Sequence, residues 1–294
     1  MGNEINISLR IGPRFVKQDR NGFRTFQRDT LDAVKDDDVR LIYVEAPVGA
    51  GKSYIIRNLV EDKYFQRKPI LLTYPTKILM DAQIGAMRKE LKNVAIWPEQ
   101  DFTTSGVNIF NYSSGSLFKY LVTKGIDSGL DKSDLIREVL LRLGFYGRSS
   151  VIVTSPDVLH LLINRETYRS SKRLQNFLQG AIVFLDEFHL YVNLANFPEL
   201  IKNLLDGIAS KIVLLSATPF VREEISVLSN SFPPLNISFS DSLGNKGDIE
   251  FNFPINLEIH SFKFTKLDLA FENLKKLIPS IAKPAAIIFD SVFR

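Results

Sequence analysis

Three short stretches hold the residues whose types and spacing could do chemistry. The first, Glu45-Ala46-Pro47-Val48-Gly49-Ala50-Gly51-Lys52-Ser53, closes an apolar run and leads into a helix-like one. Glycines at such a bend let the backbone curl so that several N–H groups point inward at phosphate oxygens, and the helix N-terminus adds its positive end. In that arrangement Lys52 contacts the β and γ oxygens of a nucleoside triphosphate, and the Ser53 hydroxyl ligates magnesium. The strict pattern carries glycine where Ala46 stands, so the loop is a variant. A plain glycine-containing turn is the bland alternative; Gly-Lys-Ser at a strand end argues against it. The second stretch, Asp186-Glu187-Phe188-His189, follows the apolar run IVFL. Asp186 at the strand end can hold the metal, through water, from the side opposite Ser53, and Glu187 can orient and deprotonate an attacking water. Adjacent residues on a strand end point opposite ways, which suits two separate roles. Alone, an Asp-Glu pair reads as a solvated turn; after a phosphate loop the catalytic reading prevails. The third stretch, Ser216-Ala217-Thr218, ends the run IVLL. Its hydroxyls can hydrogen-bond Asp186, Glu187 or His189 and link the nucleotide state to whatever moves next.

The elements that must position these residues are legible as an alternation. Continuous apolar runs at 41–44 (LIYV), 70–73 (ILLT), 151–154 (VIVT), 182–185 (IVFL) and 212–215 (IVLL) predict strands covered on both faces. Helix-like stretches at 53–62, 77–91, 157–163, 197–207 and 221–229 intervene. The fold class is therefore α/β, a mostly parallel sheet flanked by helices with right-handed crossovers, whose ligands bind beyond the carboxyl ends of the strands. Residues 93–150 interrupt the alternation as a folded, helical insertion, with helices at 117–123 and 132–143. The main domain is expected over 1–230, and 231–265 reads as a linker or β-extension with strand-like pieces at 249–253 and 257–262. A helix at 267–278 and a buried strand at 285–289 then start a second unit at 266–294, which breaks off at Arg294 as a truncated one.

Composition sets the outer bounds. A chain of 294 residues that is 45% hydrophobic fills a real core. No apolar run approaches the ~18 residues of a membrane span, no signal peptide opens the chain, and Asn6 stands where a myristoylation signal carries Ser or Thr. A soluble, cytoplasmic protein without a membrane partner is expected. The absence of cysteine excludes disulfides, thiolate zinc sites, iron–sulfur ligation and cysteine nucleophiles. With 37 Lys and Arg against 33 Asp and Glu, the net charge of +4 permits a polyanionic partner without demonstrating one.

Taken in order, Ala46-x-x-Gly49-x-Gly51-Lys52-Ser53, Asp186-Glu187-x-His189 and Ser216-Ala217-Thr218 resemble motifs I, II and III of the superfamily 2 DExH helicases. The resemblance implies a RecA-like P-loop NTPase domain using ATP and Mg2+. Lys52, Asp186, Glu187 and His189 would then be catalytic, Ser53 and Asp186 would hold the metal, and Ser216, Ala217 and Thr218 would couple. ATP would lie on Pro47, Val48, Gly49, Ala50, Gly51, Lys52, Ser53 and Tyr54. Arg24-x-x-Gln27 is similar to the adenine-reading Gln motif, with Gln27 offering a donor and an acceptor to the base edge. Pro75-Thr76-Lys77 with Gln83 looks like motif Ia, although Lys77 stands where arginine is common, and Thr154-Ser155-Pro156-Asp157 looks like motif Ib. In the family these two grip the phosphates of a single strand. Ile287-Ile288-Phe289-Asp290-Ser291 looks like the start of motif IV, which opens the second RecA-like domain.

Among subfamilies the motifs look most like the helicase of type I CRISPR interference, which often carries a fused HD nuclease. His160 and His189 precede Leu and His260 precedes Ser, so no His-Asp doublet occurs. The resemblance thus implies single-stranded DNA as substrate, a CRISPR effector complex as partner and a separate nuclease subunit. It also places the arginine that stabilises phosphoryl transfer in the missing second RecA-like domain, so weak hydrolysis is expected of this chain. Two other readings stay open: a P-loop ATPase that remodels protein complexes, which would not need the phosphate grips, and a non-catalytic docking module. Of the remaining candidates, His160 and His260 read as structural and Asp36-Asp37-Asp38 as a solvated turn. Phe110, Tyr112, Phe118 and Tyr120 read as core before base-stacking platforms. Arg165, Arg169, Lys172 and Arg173 form a basic cluster, by default a surface loop.

Overall fold

The structure, a computed structural model, describes residues 5–11, 14–62, 68–112, 120, 149–163, 178–191, 197–217, 232–244, 248–252 and 255–261. The chain divides into two compact units, Phe15–Ile249, and Met1–Arg14 together with Glu250–Arg294. In chain order the described elements begin β1 (Ile5–Ile11), β2 (Arg14–Val16), α1 (Thr25–Lys35), β3 (Leu41–Glu45), α2 (Lys52–Glu61), β4 (Ile70–Thr73), α3 (Lys77–Glu90), β5 (Val94–Trp97) and β6 (Val107–Asn111). They continue with β7 (Ser149–Thr154), α4 (Pro156–Ile163), β8 (Ala181–Asp186), α5 (Phe197–Gly207), β9 (Ala209–Ser216), β10 (Leu235–Ser238), β11 (Ile249–Asn252) and β12 (Ile255–Ser261).

The larger unit is built on eight strands in the order β10-β3-β9-β8-β4-β7-β6-β5, every neighbouring pair parallel. The strands are runs of Val, Ile and Leu because both sheet faces are covered: Leu71, Val151, Ile182, Leu185, Ile212 and Leu214 are wholly buried. The helices dock through apolar residues spaced three and four apart, Ile55, Ile56, Leu59 and Val60 on α2 and Leu200, Ile201, Leu204 and Leu205 on α5. Each such side chain, taken out of water, contributes about 1.5–3 kcal/mol. Parallel register then aligns the strand ends. Glu45 pairs with Ser216, Asp186 with Leu215, and Thr73 with both Leu185 and Thr154. The residues singled out for chemistry thus share one edge of one sheet.

Three features differ from the sequence reading. The region expected to be a helical insertion opens with β5 and β6, which extend the sheet to its far edge. The polar Asn108 interrupts the apolar signal of β6, yet it is buried and satisfied: Oδ1 accepts from Thr103 N at 2.8 Å and Nδ2 donates to Thr103 O at 2.7 Å. Trp97, Phe110 and Tyr112 pack as core, with Trp97 to Phe110 at 5.1 Å and Phe110 to Tyr112 at 5.3 Å between ring centroids, and Tyr120 rests on Trp97. Second, the expected linker contains β10, a strand of the main sheet. Third, β1, expected within the main domain, pairs antiparallel with β12 from Ile5↔Ser261 to Ile11↔Ile255, in the smaller unit. The helices expected at 132–143, 221–229 and 267–278, the strand at 285–289, Phe118, the basic cluster and the motif IV residues lie outside the described residues. Asp36 caps its own turn, Oδ1 accepting from Asp38 N at 3.0 Å, and the buried Lys211 donates to Asp36 O and Val39 O. No described helix is long and apolar enough to cross a membrane.

Candidate active site

The loop between β3 and α2 turns through two glycines with left-handed backbone, Gly49 at φ 77° and Gly51 at φ 87°. Ala46 N extends the ladder to Ser216 O at 2.9 Å, and Ala50 N donates back to Pro47 O at 3.1 Å, closing the bend. Helix α2 then opens on Gly51 with no side chain accepting from its first N–H groups and no acidic residue in its first turn. Its positive end therefore faces the bend uncompensated, the electrostatic requirement for an anion. Behind the loop stands α1. Arg24 N donates to Gln27 Oε1 at 2.9 Å, Gln27 Nε2 donates to Gly51 O at 2.9 Å, and the Arg24 guanidinium donates to Ala50 O. Gln27 is buried. Its oxygen and one N–H are bonded within the chain, so that the side chain braces the phosphate loop from behind.

That brace makes position 51 intolerant. A Cβ there would sit 2.7 Å from Gln27 Nε2, on a backbone that side chains rarely adopt. Gly51→Ala is expected to lower stability by about 1–3 kcal/mol and to weaken nucleotide binding about tenfold or more. Thermal unfolding and titration with a fluorescent ATP analogue check the two effects, and Gly207→Ala, which has open space around it, is the control.

Facing the loop is the end of β8. Lys52 Nζ donates to Ala46 O at 3.0 Å and lies 3.2 Å from Glu187 Oε1. The other Glu187 oxygen is 3.5 Å from His189 Nδ1, which is 3.0 Å from Ser216 Oγ. The loop lysine, Glu187 of the acidic pair, His189 and the serine ending β9 are thus joined through side chains in one continuous line. Asp186 lies deeper. Burial pushes its carboxyl up to about 6, against the attraction of Lys52 and with the repulsion of Glu187. Glu187 itself is left-handed, at φ 49° and ψ 41°. Its N–H bonds Asp186 Oδ1 at 3.0 Å, and Tyr191 Oη donates to the Asp186 carbonyl at 2.6 Å. Burial, then the Asp186 charge, hold the Tyr74 and Tyr191 phenols above their ordinary range, so both remain protonated. Sequence reasoning passed over Tyr191; the available signal was a tyrosine one short turn beyond an Asp-Glu pair.

The remaining candidates spread along the same edge. Pro47 is half-buried, Val48, Gly49 and Ser53 are exposed, and Tyr54 is half-buried with its ring between Phe23 and Arg57. Thr76 and Lys77 are exposed at the start of α3, where Thr76 Oγ1 accepts from Leu79 N at 3.3 Å; Pro75 and Gln83 are half-buried. Ser155 Oγ accepts from Val158 N at 3.4 Å, and the buried Pro156 begins α4. Thr154, the other expected phosphate grip, is placed deeper. It ends an interior strand, is wholly buried, and its hydroxyl has no partner among the described residues. Ala217 is half-buried, and Thr218 lies outside the described residues.

The donor set fits a magnesium nucleotide: glycine-shaped backbone N–H groups and a buried amine for phosphate oxygens, with the Ser53 hydroxyl and Asp186 carboxylate for a hard cation. The described residues contain no cluster of three or more His, Asp or Glu able to hold a metal alone. Magnesium in such sites takes only one or two carboxylates and completes its shell with phosphate and water.

The sequence pattern of the DEAD/DEAH box helicases matches residues 24–226. The chain belongs to that family. The family's cofactors are ATP and Mg2+, and its domain is an ATP hydrolase. No curated protein matches. Among solved structures, the DUF1998 helicase MrfA bound to DNA and AMPPNP is 15% identical, with a TM-score of 0.50 over 92% of this chain and 37% of that one. The helicase domain of Hef from Pyrococcus furiosus is 17% identical, with a TM-score of 0.45 over 76% of this chain and 40% of that one. A DEAD box protein from Methanococcus jannaschii is 16% identical, with a TM-score of 0.43 over 73% and 49%. The chain therefore spans less than half the length of each of these three structures. The family match and the eight-stranded parallel sheet make the fold an α/β, RecA-like P-loop NTPase domain.

Proposed function

We propose that this chain is the ATP-binding motor half of a single-strand nucleic-acid translocase of the DExH type. The observation that carries the reading is the line Lys52–Glu187–His189–Ser216, which joins the phosphate loop, the second acid of the pair and the third motif through side-chain contacts. The loop N–H groups and Lys52 bind the triphosphate, and Ser53 and Asp186 hold magnesium, which offsets phosphate charge when bound. Glu187 orients an attacking water and takes its proton. His189 and Ser216 carry the state of Glu187 to the end of β9. Thr76, Lys77 and Ser155, on the same sheet edge, form the backbone grip, with hydroxyls, helix N-termini and one cation that hold phosphates without reading bases.

The resemblance of the motifs to the helicase of type I CRISPR interference supports DNA as the strand, an effector complex and a separate nuclease as partners, and a second RecA-like domain supplying the arginine. The domain reading that accompanies this is a nucleotide-binding unit over 1–230, a linker or β-extension over 231–265 and a second unit from 266 onward.

Binding of a labelled oligothymidylate across a salt series tests the strand grip. Lys77→Ala is expected to weaken binding and to make the slope of log K against log salt shallower by about 0.7, one phosphate contact on a single strand. Thr154→Val is expected to leave strand affinity unchanged and to raise stability by about 1 kcal/mol, because it removes a buried hydroxyl that has no partner among the described residues. Lys77→Ala with an unchanged slope, in a protein that hydrolyses ATP without strand stimulation, would point to protein remodelling instead.

A further inference from the structure

We infer that Tyr191 is a positioning residue for Glu187. The inference rests on the reading of Glu187 as the group that handles the attacking water. A left-handed conformation at a glutamate costs about 1–2 kcal/mol, so something local must hold it. The peptide between Asp186 and Glu187 is the hinge of that conformation, because rotating this plane changes ψ at Asp186 and φ at Glu187 together. Two contacts pin the plane. On one side the Glu187 N–H is tied to Asp186 Oδ1 at 3.0 Å; on the other, the Asp186 carbonyl accepts from the Tyr191 phenol at 2.6 Å. Of these two, the carboxylate contact is compromised by the role of Asp186 in metal binding. The phenol contact is free of that conflict.

Tyr191 is itself immobilised. It is 2% exposed, its N–H closes the short helix Phe188–Leu190 by donating to Phe188 O at 2.8 Å, and its phenol borders Thr73 and Tyr74 at the end of β4. The Thr73 hydroxyl in turn reaches Phe184 O at 3.3 Å, within β8. Tyr191 therefore references the Glu187 peptide to the rigid ends of two strands. With the plane held, the Glu187 carboxylate lies between Lys52 and His189, which it meets with one oxygen each. Without the phenol, the plane can rotate and Glu187 can relax toward an ordinary backbone conformation, carrying its carboxylate out of that line.

Tyr191→Phe, which deletes one O–H and keeps the ring, tests this in the full chain. For ATP hydrolysis, kcat is expected to fall about fivefold to tenfold with KM and analogue affinity kept within about twofold, since the variant disturbs orientation and not binding. Amide hydrogen exchange without nucleotide supplies a second readout. Protection of the Glu187 and Leu190 N–H groups is expected to drop about fivefold or more, while Val183 and Leu185 in β8 hold theirs. A structural role alone would lower protection across β8 and raise KM along with the loss of kcat, and that pattern overturns the inference. So does unchanged protection at Glu187 and Leu190. Wild-type protein that binds no magnesium nucleotide would instead overturn the proposed function, and the exchange measurement, made without nucleotide, would still decide whether Tyr191 holds the turn.

Discussion

Lys52→Ala is expected to reduce affinity for ATP by about 100-fold or more, with a far smaller effect on folding. The amine is the one side-chain cation that the loop directs into its own bend, and Lys52 is 9% exposed, so a phosphate meeting it exchanges little water. Charge-assisted hydrogen bonds in such surroundings are each worth about 1.5–3 kcal/mol, and two of them account for a factor of ~100. The structural cost is limited because the partner of Lys52 is not stranded: Glu187 keeps the His189 ring at 3.5 Å and retains some contact with water. A loss of about 1 kcal/mol in stability is expected. Isothermal titration with ATP and magnesium, alongside thermal unfolding, separates the two quantities. Unchanged affinity in Lys52→Ala would remove the nucleotide site from this edge of the sheet.

Asp186→Asn is expected to stabilise the protein while abolishing its magnesium dependence. Burial raises the Asp186 carboxyl to about 6 from its ordinary 3.8, so the folded chain holds that proton more tightly than the unfolded one. The stability associated with the proton is fully present below about pH 4 and is lost as pH rises through about 6. Asparagine carries no charge at any pH. The variant should therefore match the wild type near pH 4 and exceed it by about 1–3 kcal/mol above pH 6, with the gap opening between those values. In the proposed role of Asp186 the same ionisation bears on metal binding. A protonated carboxyl is a poor ligand for a hard cation, so below about pH 6 magnesium has to displace that proton and nucleotide binding should require more magnesium than at neutral pH. Denaturant unfolding at several pH values measures the first effect, and magnesium titration of analogue binding the second. A gap of constant size across the whole range would show that the buried charge is not its source. The expectation describes a common bargain at active sites, in which a charge kept from water for its reactivity costs stability.

Particular residues show how far local reading reached. Lys52 and Ser53 could be placed because their chemistry depends on covalent neighbours: the glycines that shape the bend and the helix that follows are all within a few positions. Glu187 beside Asp186 was legible for the same reason. The tie from Gln27 to Gly51 O was not, because it is a contact between two helices that no periodicity announces. Trp97, Phe110 and Asn108 carry no clear strand signal, because each strand they belong to is short and one is interrupted by a polar residue. Asn108 belongs there only because the Thr103 backbone meets both ends of its amide.

From its sequence alone this chain was bound to form a parallel, doubly covered sheet with a phosphate-shaped bend after its first long strand, because continuous branched runs and glycine spacing act over a handful of residues. Which ends of that sheet would meet was a different matter. β8 lies between β9 and β4, and β7 between β4 and β6, an order unlike that of the chain. Only that order buries Thr154, seats the Tyr191 phenol on the Asp186 carbonyl and carries Ser216 to His189. Such contacts join residues far apart in sequence, and their energies depend on neighbours that exist only once the strands have been sorted.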